Sequence, residues 1–126
     1  MKPYSYLLCG LPGSGKTTFA QQLRTTHSAE IFSSDEWIIK LFGLNFDSDK
    51  FETYQEIAKQ KILESAQKYL QQGKNIVLDF GFWKKQDRSK YIEWAVSNES
   101  IPIIYYFNIS YDSLALRLDE RNQKNR

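Results

Sequence analysis

The stretch that decides the fold is GLPGSGKT, which runs from Gly10 to Thr17. It follows the pattern G-x-x-x-x-G-K-[S/T] and lies between two segments of different periodicity. Before it, Ser5–Cys9 is nearly all apolar, as expected for a strand that is covered on both faces. After it, Lys16–His27 carries apolar residues at helical spacing. The sequence therefore predicts a strand, a glycine-rich loop and a helix in direct succession.

The loop has the composition of a phosphate-binding site. Its glycines allow backbone angles that side chains disfavour, so successive amide N–H groups can surround an anion, and the start of the helix adds its own N–H groups. We expect Lys16 to contact the β- and γ-phosphates of ATP or a similar nucleotide, and the Thr17 hydroxyl to bind Mg²⁺. For Thr18, packing or capping is the alternative. The predicted nucleotide-binding residues are Gly10, Leu11, Pro12, Gly13, Ser14, Gly15, Lys16, Thr17 and Thr18.

Strand and helix patterns alternate along the rest of the chain, which is typical of an α/β fold with a largely parallel sheet. Ser34 or Asp35 is predicted to cap the second helix and Gly43 to end it. Ser110 is predicted to cap a last helix that contains two arginines. The other predicted elements are strands at Ile31–Phe32, Asn75–Asp79 and Ile101–Ile109, and helices at Phe51–Gln72 and Lys85–Ser97.

Composition narrows the class of protein. A chain of 126 residues with 41% hydrophobic and 25% charged residues predicts one globular domain. A single cysteine, Cys9, and a single histidine, His27, exclude an internal disulfide and a Cys/His metal cluster, and they favour a reducing, cytoplasmic setting. The sequence has no apolar run long enough for a membrane span. The net charge of +2, with the basic residues scattered, neither favours nor excludes nucleic acid.

Two acids follow predicted strands, where ligands of parallel sheets bind. Asp79 closes an apolar strand in the manner of a Walker B acid, and we expect it to hold Mg²⁺ directly or through water. Capping of the next turn is the alternative. Asp35 follows the second strand and could accept a proton from a substrate hydroxyl that attacks the γ-phosphorus. A helix N-cap is the alternative role for Asp35.

Three arginines and a tryptophan complete the candidate site. Arg117 and Arg121 lie four residues apart on the predicted last helix, a spacing suited to holding phosphates in the transition state. A surface ion pair with Asp119 or Glu120 is the alternative. Arg88 is a candidate to bind an anionic group of the acceptor. Trp37 is a candidate to stack on an aromatic acceptor or a base, as are Phe82 and Trp83, although packing is the more common role of such aromatic residues.

Four segments together resemble a known group of proteins. They are the Gly10–Thr18 loop, Ser33-Ser34-Asp35-Glu36, Val77-Leu78-Asp79-Phe80-Gly81-Phe82-Trp83 with Arg88, and Arg117-Leu-Asp-Glu-Arg121-Asn122. The chain resembles small P-loop kinase-like proteins of the AAA type, similar to polynucleotide kinase, zeta toxin and chloramphenicol phosphotransferase. The resemblance implies a three-layer P-loop NTPase fold with four to five strands in the order 2-3-1-4-5, a lid that carries Arg117 and Arg121, and a general base at Asp35.

The resemblance also shapes the expected function. We expect transfer of the γ-phosphate of ATP to a hydroxyl of a small molecule or a polynucleotide end. A nucleotide-binding or ATP-hydrolysing switch without an acceptor is the alternative. Relatives of this kind continue into a further strand and helix after the arginine lid, whereas this sequence ends at Arg126. We expect a single domain over residues 1–126; for the strand and helix after the lid, the alternatives are a truncated form and a domain with incomplete base recognition and weak nucleotide affinity.

Overall fold

The computed structural model describes residues 1–10, 15–43, 48–80 and 85–107. Within these ranges it confirms the predicted alternation of strands and helices. Residues 108–126, which include the predicted cap at Ser110 and the predicted last helix, lie outside the described residues. The elements are β1 (Tyr4–Gly10), α1 (Lys16–His27), β2 (Glu30–Ser33), α2 (Ser34–Phe42), a 3-10 turn (Ser48–Lys50), α3 (Phe51–Gln71), β3 (Ile76–Asp79), α4 (Lys85–Ser97) and β4 (Ile101–Phe107).

The four strands form one parallel sheet in the order β2-β3-β1-β4. This order agrees with the first four positions of the order that the family resemblance implied. β1 lies in the centre, and its five inner residues are all buried, as the apolar run Ser5–Cys9 predicted. Because every strand runs in the same direction, all four carboxyl ends meet at one edge of the sheet.

Helices cover both faces of the sheet, so the fold has three layers. On one face, Ala20 and Leu23 of α1 pack against Tyr6, Leu8 and Val77 of the sheet. The opposite face carries a larger core. It consists of residues of β1, β2 and β3, the residue that follows β3, and residues of α3 and α4. These are Leu7, Cys9, Phe32, Ile62, Leu63, Ala66, Leu70, Ile76, Leu78, Phe80 and Tyr91. We call these the α1 face and the α2–α4 face, because Trp37 of α2 also packs on the second.

The start of α2 corrects one prediction. Neither Ser34 nor Asp35 caps this helix; both lie inside its first turn, and the cap is Ser33, the last residue of β2. The Ser33 hydroxyl accepts a hydrogen bond from the Glu36 amide at 3.4 Å. The prediction was wrong by one or two residues because strand and helix adjoin without a loop. Gly43 ends the helix as predicted, with a left-handed φ of 88°.

Candidate functional site

The carboxyl ends of the strands define the candidate site, and we call this side of the sheet the carboxyl edge. The last residues of the four strands are Gly10, Ser33, Asp79 and Phe107. Ser33 lies opposite Asp79 in the sheet, and Gly10 lies opposite Phe107. Ligands of open parallel sheets bind outside such an edge. The chain segments that follow each strand are therefore the ones that can contact a ligand.

Gly10 lies close against β4. A Cβ added to this residue would lie 2.6 Å from the carbonyl oxygen of Phe107 and 2.7 Å from its Cβ. Both distances are shorter than real Cβ contacts, and one of the atoms is main chain. Gly10 is therefore required by the packing of two strands, a reason that the loop pattern itself did not indicate.

Gly15 is required for a different reason. It precedes α1 with a left-handed φ of 99°, and no heavy atom lies within 4 Å of the position that its Cβ would take. The cost of a side chain here is backbone strain alone. The first three amides of α1 have no acceptor within the helix, its N-terminus has no side-chain cap, and its first turn holds no acidic residue. This helix start therefore favours a bound anion.

Lys16 and Asp79 form an ion pair at the carboxyl edge. The Nζ atom of Lys16 lies 3.2 Å from Oδ1 of Asp79, and the two side chains are 8% and 14% exposed. Both residues were predicted to lie in the site, Lys16 for the phosphates and Asp79 for the metal. The structure brings them into direct contact, which the separate motifs did not predict.

The chemistry of this group suits Mg²⁺. The Thr17 hydroxyl and the Asp79 carboxylate are hard oxygen ligands, which Mg²⁺ prefers. In the part of the chain that the structure describes, no three His, Cys, Asp or Glu side chains are grouped as a complete metal site. Mg²⁺ is usually held by one or two protein oxygens, with phosphate oxygens and water as the other ligands. Thr17 and Thr18 are both exposed in the first turn of α1.

Asp35 and Trp37 occupy different environments at the start of α2. Asp35 is exposed, two residues beyond the end of β2. Because Ser33 takes the cap position, a capping role no longer accounts for Asp35. Trp37 packs against the core with its ring 6.3 Å from that of Phe32, and the Lys40 ammonium lies 5.3 Å from its centroid. These contacts agree with the packing alternative for Trp37, and its role toward an acceptor stays a prediction.

Arg88 lies in the first turn of α4, on the β4 side of the site. Its guanidinium carbon is 5.5 Å from the centre of the Tyr106 ring. Burial raises the pKa of the Cys9 thiol to about 11, although the charges of Arg88 and Lys16 act to lower it. Cys9 is therefore a neutral thiol near pH 7, and the positive charges around it are not offset by a thiolate.

The remaining predicted site residues lie outside the described residues. They are the loop residues Leu11, Pro12, Gly13 and Ser14, the aromatic residues Phe82 and Trp83, and the two arginines Arg117 and Arg121. Their roles stay predictions. Within the described ranges, every helix is too short or too polar to cross a membrane.

Comparison with known proteins agrees with this architecture. A family profile described as "AAA domain" matches residues 6–126. A comparison with curated proteins found no match. Among solved structures, the chain is similar to a "putative kinase" of Chloroflexus aurantiacus, with 24% identity and a TM-score of 0.76 over 94% of this chain and 65% of that one.

Two further structures share the fold. One is a chain of the Pnkp1/Rnl/Hen1 RNA repair complex, with 23% identity and a TM-score of 0.75 over 94% of this chain and 37% of that one. The other is a sugar kinase of Janibacter sp. HTCC2649, with 14% identity and a TM-score of 0.61 over 98% of this chain and 70% of that one. The chain thus spans less than two thirds of the Chloroflexus protein and of the RNA repair chain. At these identities the likeness establishes the P-loop kinase-like fold.

Proposed function

The chain belongs to the family of AAA domains, and from that premise we propose that it binds Mg·ATP at the Gly10–Thr17 loop and transfers the γ-phosphoryl group to a hydroxyl acceptor. The observation that carries the proposal is the ion pair between Lys16 and Asp79 at the carboxyl edge. It places a cation suited to phosphate and an oxygen ligand suited to Mg²⁺ beside the start of α1.

In this proposal the residues on the α1 face hold the donor. Lys16 leaves Asp79 to contact the β- and γ-phosphates, and the first amides of α1 contact the same anion. Thr17 and Asp79 hold Mg²⁺, which, when bound with ATP, offsets the negative charge on the phosphate oxygens. Arg117 and Arg121 are proposed to add positive charge as the γ-phosphoryl group moves.

The acceptor is proposed to bind on the other side of the strand ends, near Asp35. Its hydroxyl oxygen forms a bond to the γ-phosphorus, while the bond from that phosphorus to the bridging oxygen of ADP breaks. The hydroxyl proton passes to the Asp35 carboxylate. The exposure of Asp35 supports this role, because a base that acts on a diffusing acceptor has to be reachable from solvent.

The proposal is tested by following the γ-phosphate. We expect labelled ATP to transfer its label to at least one hydroxyl compound in a panel of sugars, other small alcohols and 5′-hydroxyl oligonucleotides. The sugar and polynucleotide arms follow from the sugar kinase and the RNA repair complex that share the fold. Label that appears only as free phosphate would support the alternative, an ATP-hydrolysing switch, and would contradict transfer.

A pair of variants tests the base. We expect Asp35→Asn to lower the rate of transfer by about 100-fold or more, because general base catalysis typically contributes that much, and to leave ATP affinity unchanged. Glu36→Gln is the matched control, since Glu36 is an exposed acid in the same turn of α2. Equal loss in both variants would indicate a general charge effect and not a proton transfer at Asp35.

A further inference from the structure

Two consecutive residues at the end of β3 belong to opposite faces of the sheet. The Asp79 carboxylate contacts Lys16 of α1, so it belongs to the α1 face. Phe80 is part of the core on the α2–α4 face and is 3% exposed. The proposed donor site is therefore on one side of the β3 end, and Phe80 faces the other side, where the acceptor is proposed to bind.

Lys59 of α3 lies next to Phe80. Its ammonium is 5.7 Å from the centre of the Phe80 ring, and the side chain is half-buried. Among the residues that the structure describes, no carboxylate lies within 4 Å of this ammonium. The ion pair found among those residues joins Lys16 and Asp79. An aromatic face is a weaker partner for an ammonium than an anion is. An anion beside Phe80 would supply the missing charge.

Gln55 lies one helical turn before Lys59, on the same face of α3. Its Oε1 atom is buried and has no hydrogen-bond partner, the one such side-chain atom found among the described residues. A buried acceptor without a donor is costly, and it calls for an explanation such as a missing ligand. A hydroxyl or protonated phosphate oxygen could donate to it.

Arg88 belongs to the other helix that packs on Phe80. It lies on α4 one turn before Tyr91, whose ring packs edge-to-face on Phe80 with centroids 5.1 Å apart. Arg88 was predicted to bind an anionic group of the acceptor, whereas no sequence pattern singled out Lys59 or Gln55.

We propose that Lys59 is a specificity-determining residue that binds an anionic group, phosphate or carboxylate, of the hydroxyl acceptor, and that Gln55 accepts a hydrogen bond from the same molecule. The inference rests on the proposed function, since it concerns the acceptor of that reaction. It makes the substrate class more specific, because a neutral sugar or simple alcohol would leave the Lys59 charge unmatched.

Inorganic phosphate is a direct probe of this site. We would first saturate the protein with Mg·AMP-PNP, so that the Gly10–Thr17 loop is filled, and then titrate phosphate at constant ionic strength while recording amide NMR spectra. We expect saturable shifts around Gln55, Lys59 and Phe80. Lys59→Met should raise the phosphate Kd by about tenfold or more, as expected for the loss of one charged contact. Lys61→Met, an exposed lysine of the same helix, should leave the Kd unchanged.

Gln55→Leu is a second and independent variant. If a ligand is the partner of Oε1, Gln55→Leu removes an unsatisfied polar atom from the ligand-free protein. The midpoint of thermal unfolding should then rise, and phosphate should bind more weakly. A lower midpoint would show that Gln55 has a structural partner and would overturn its assigned role. This readout does not depend on an identified acceptor.

The outcomes separate this inference from the proposed function. Failure of Mg·AMP-PNP to bind contradicts the proposed function, and the inference falls with it. Nucleotide binding without a saturable phosphate site at Lys59, or with equal weakening in Lys59→Met and Lys61→Met, contradicts the inference alone. A tenfold loss confined to Lys59→Met supports it, and transfer assays with paired charged and neutral acceptors would then be expected to favour the charged member.

Discussion

The two edges of the sheet are built in opposite ways. At the amino edge, polar groups are satisfied by other groups of the protein. The Asn75 side chain accepts from the Tyr4 amide at 2.8 Å and donates to the His27 carbonyl at 2.9 Å, which joins β1 to the end of α1. At the carboxyl edge, Gln55 has a buried oxygen without a partner, and Lys59 has an ammonium without a counter-ion among the described residues.

The difference separates stability from ligand binding. Hydrogen bonds between elements stabilise the fold, whereas buried polar groups without a partner destabilise the protein until a bound ligand satisfies them. Substitutions at the amino edge should therefore change the free energy of unfolding and leave nucleotide affinity unchanged. Substitutions of polar side chains at the carboxyl edge should change ligand affinity without lowering the free energy of unfolding, except where a residue there also packs strands together.

Gly10 is that exception, and it should give the largest effect on stability. Gly10→Ala places a Cβ 2.6 Å from a main-chain oxygen, so β1 and β4 have to separate. We expect a loss of about 3 kcal/mol in the free energy of unfolding, at the upper end for overpacking. Gly15→Ala meets no atom within 4 Å and should cost about 1–2 kcal/mol from strain alone. Urea denaturation of both variants measures the two losses, and equal losses would contradict the packing role of Gly10.

Ser100 tests the amino edge. Its hydroxyl donates to the Ala95 carbonyl at 3.0 Å, so the buried Ser5 hydroxyl, 2.7 Å away, donates to Ser100. Ser100→Ala leaves the Ser5 hydroxyl buried without an acceptor and should cost about 2 kcal/mol. Ser5→Ala removes only a donor to Ser100 and should cost about 1 kcal/mol or less.

Two further measurements complete this test. The double variant should be no less stable than Ser100→Ala, because both partners are then gone. Mg·ATP affinity should stay the same in all three variants, as it should for any substitution confined to the amino edge. A serine variant that binds ATP more weakly would contradict the claim that the amino edge affects stability alone.

Asp79 tests how the ion pair at the carboxyl edge responds to nucleotide. In the protein without nucleotide, Asp79 pairs with Lys16. It therefore competes with the phosphates of incoming ATP for this ammonium. Asp79→Asn should therefore strengthen binding of ATP in the presence of EDTA by about tenfold, the equivalent of about 1.4 kcal/mol, and should remove most of the gain that Mg²⁺ brings. Calorimetric titrations with and without Mg²⁺ measure both effects.

Asp35→Asn is the control for that titration, since it removes an equal charge from the same edge without touching Lys16. If it strengthens Mg-free binding as much as Asp79→Asn does, the effect is long-range repulsion. The direct contact between Lys16 and Asp79 would then not limit nucleotide binding.

The fold followed from the sequence because its signals are local. An apolar run, a glycine-rich loop and a helical spacing occur within residues 5–27, and each predicts its own element. The α2 cap was misplaced because Ser33, Ser34 and Asp35 are all good caps, and only the backbone distinguishes among them.

The contacts between distant segments were not predictable in the same way. The pair of Lys16 and Asp79 depends on β1 and β3 being neighbours with Leu8 opposite Asp79, a register that neither segment encodes alone. Lys59 is one of several lysines on a long helix, and its place beside Phe80 depends on how α3 rotates on the sheet. The signal that separates it from Lys61 is burial, which exists only in the folded chain.

The central claim is that the loop from residue 10 to residue 17, with Lys16, binds the phosphates of a nucleoside triphosphate. Its most direct test is a calorimetric titration of Mg·AMP-PNP into the protein and into Lys16→Met, with unfolding curves to show that both are folded. We predict saturable binding at one site, weakened by about 100-fold or more in the variant, as expected for losing a charge-assisted contact to phosphate. No binding by the unaltered protein, or equal binding by both, would contradict the account.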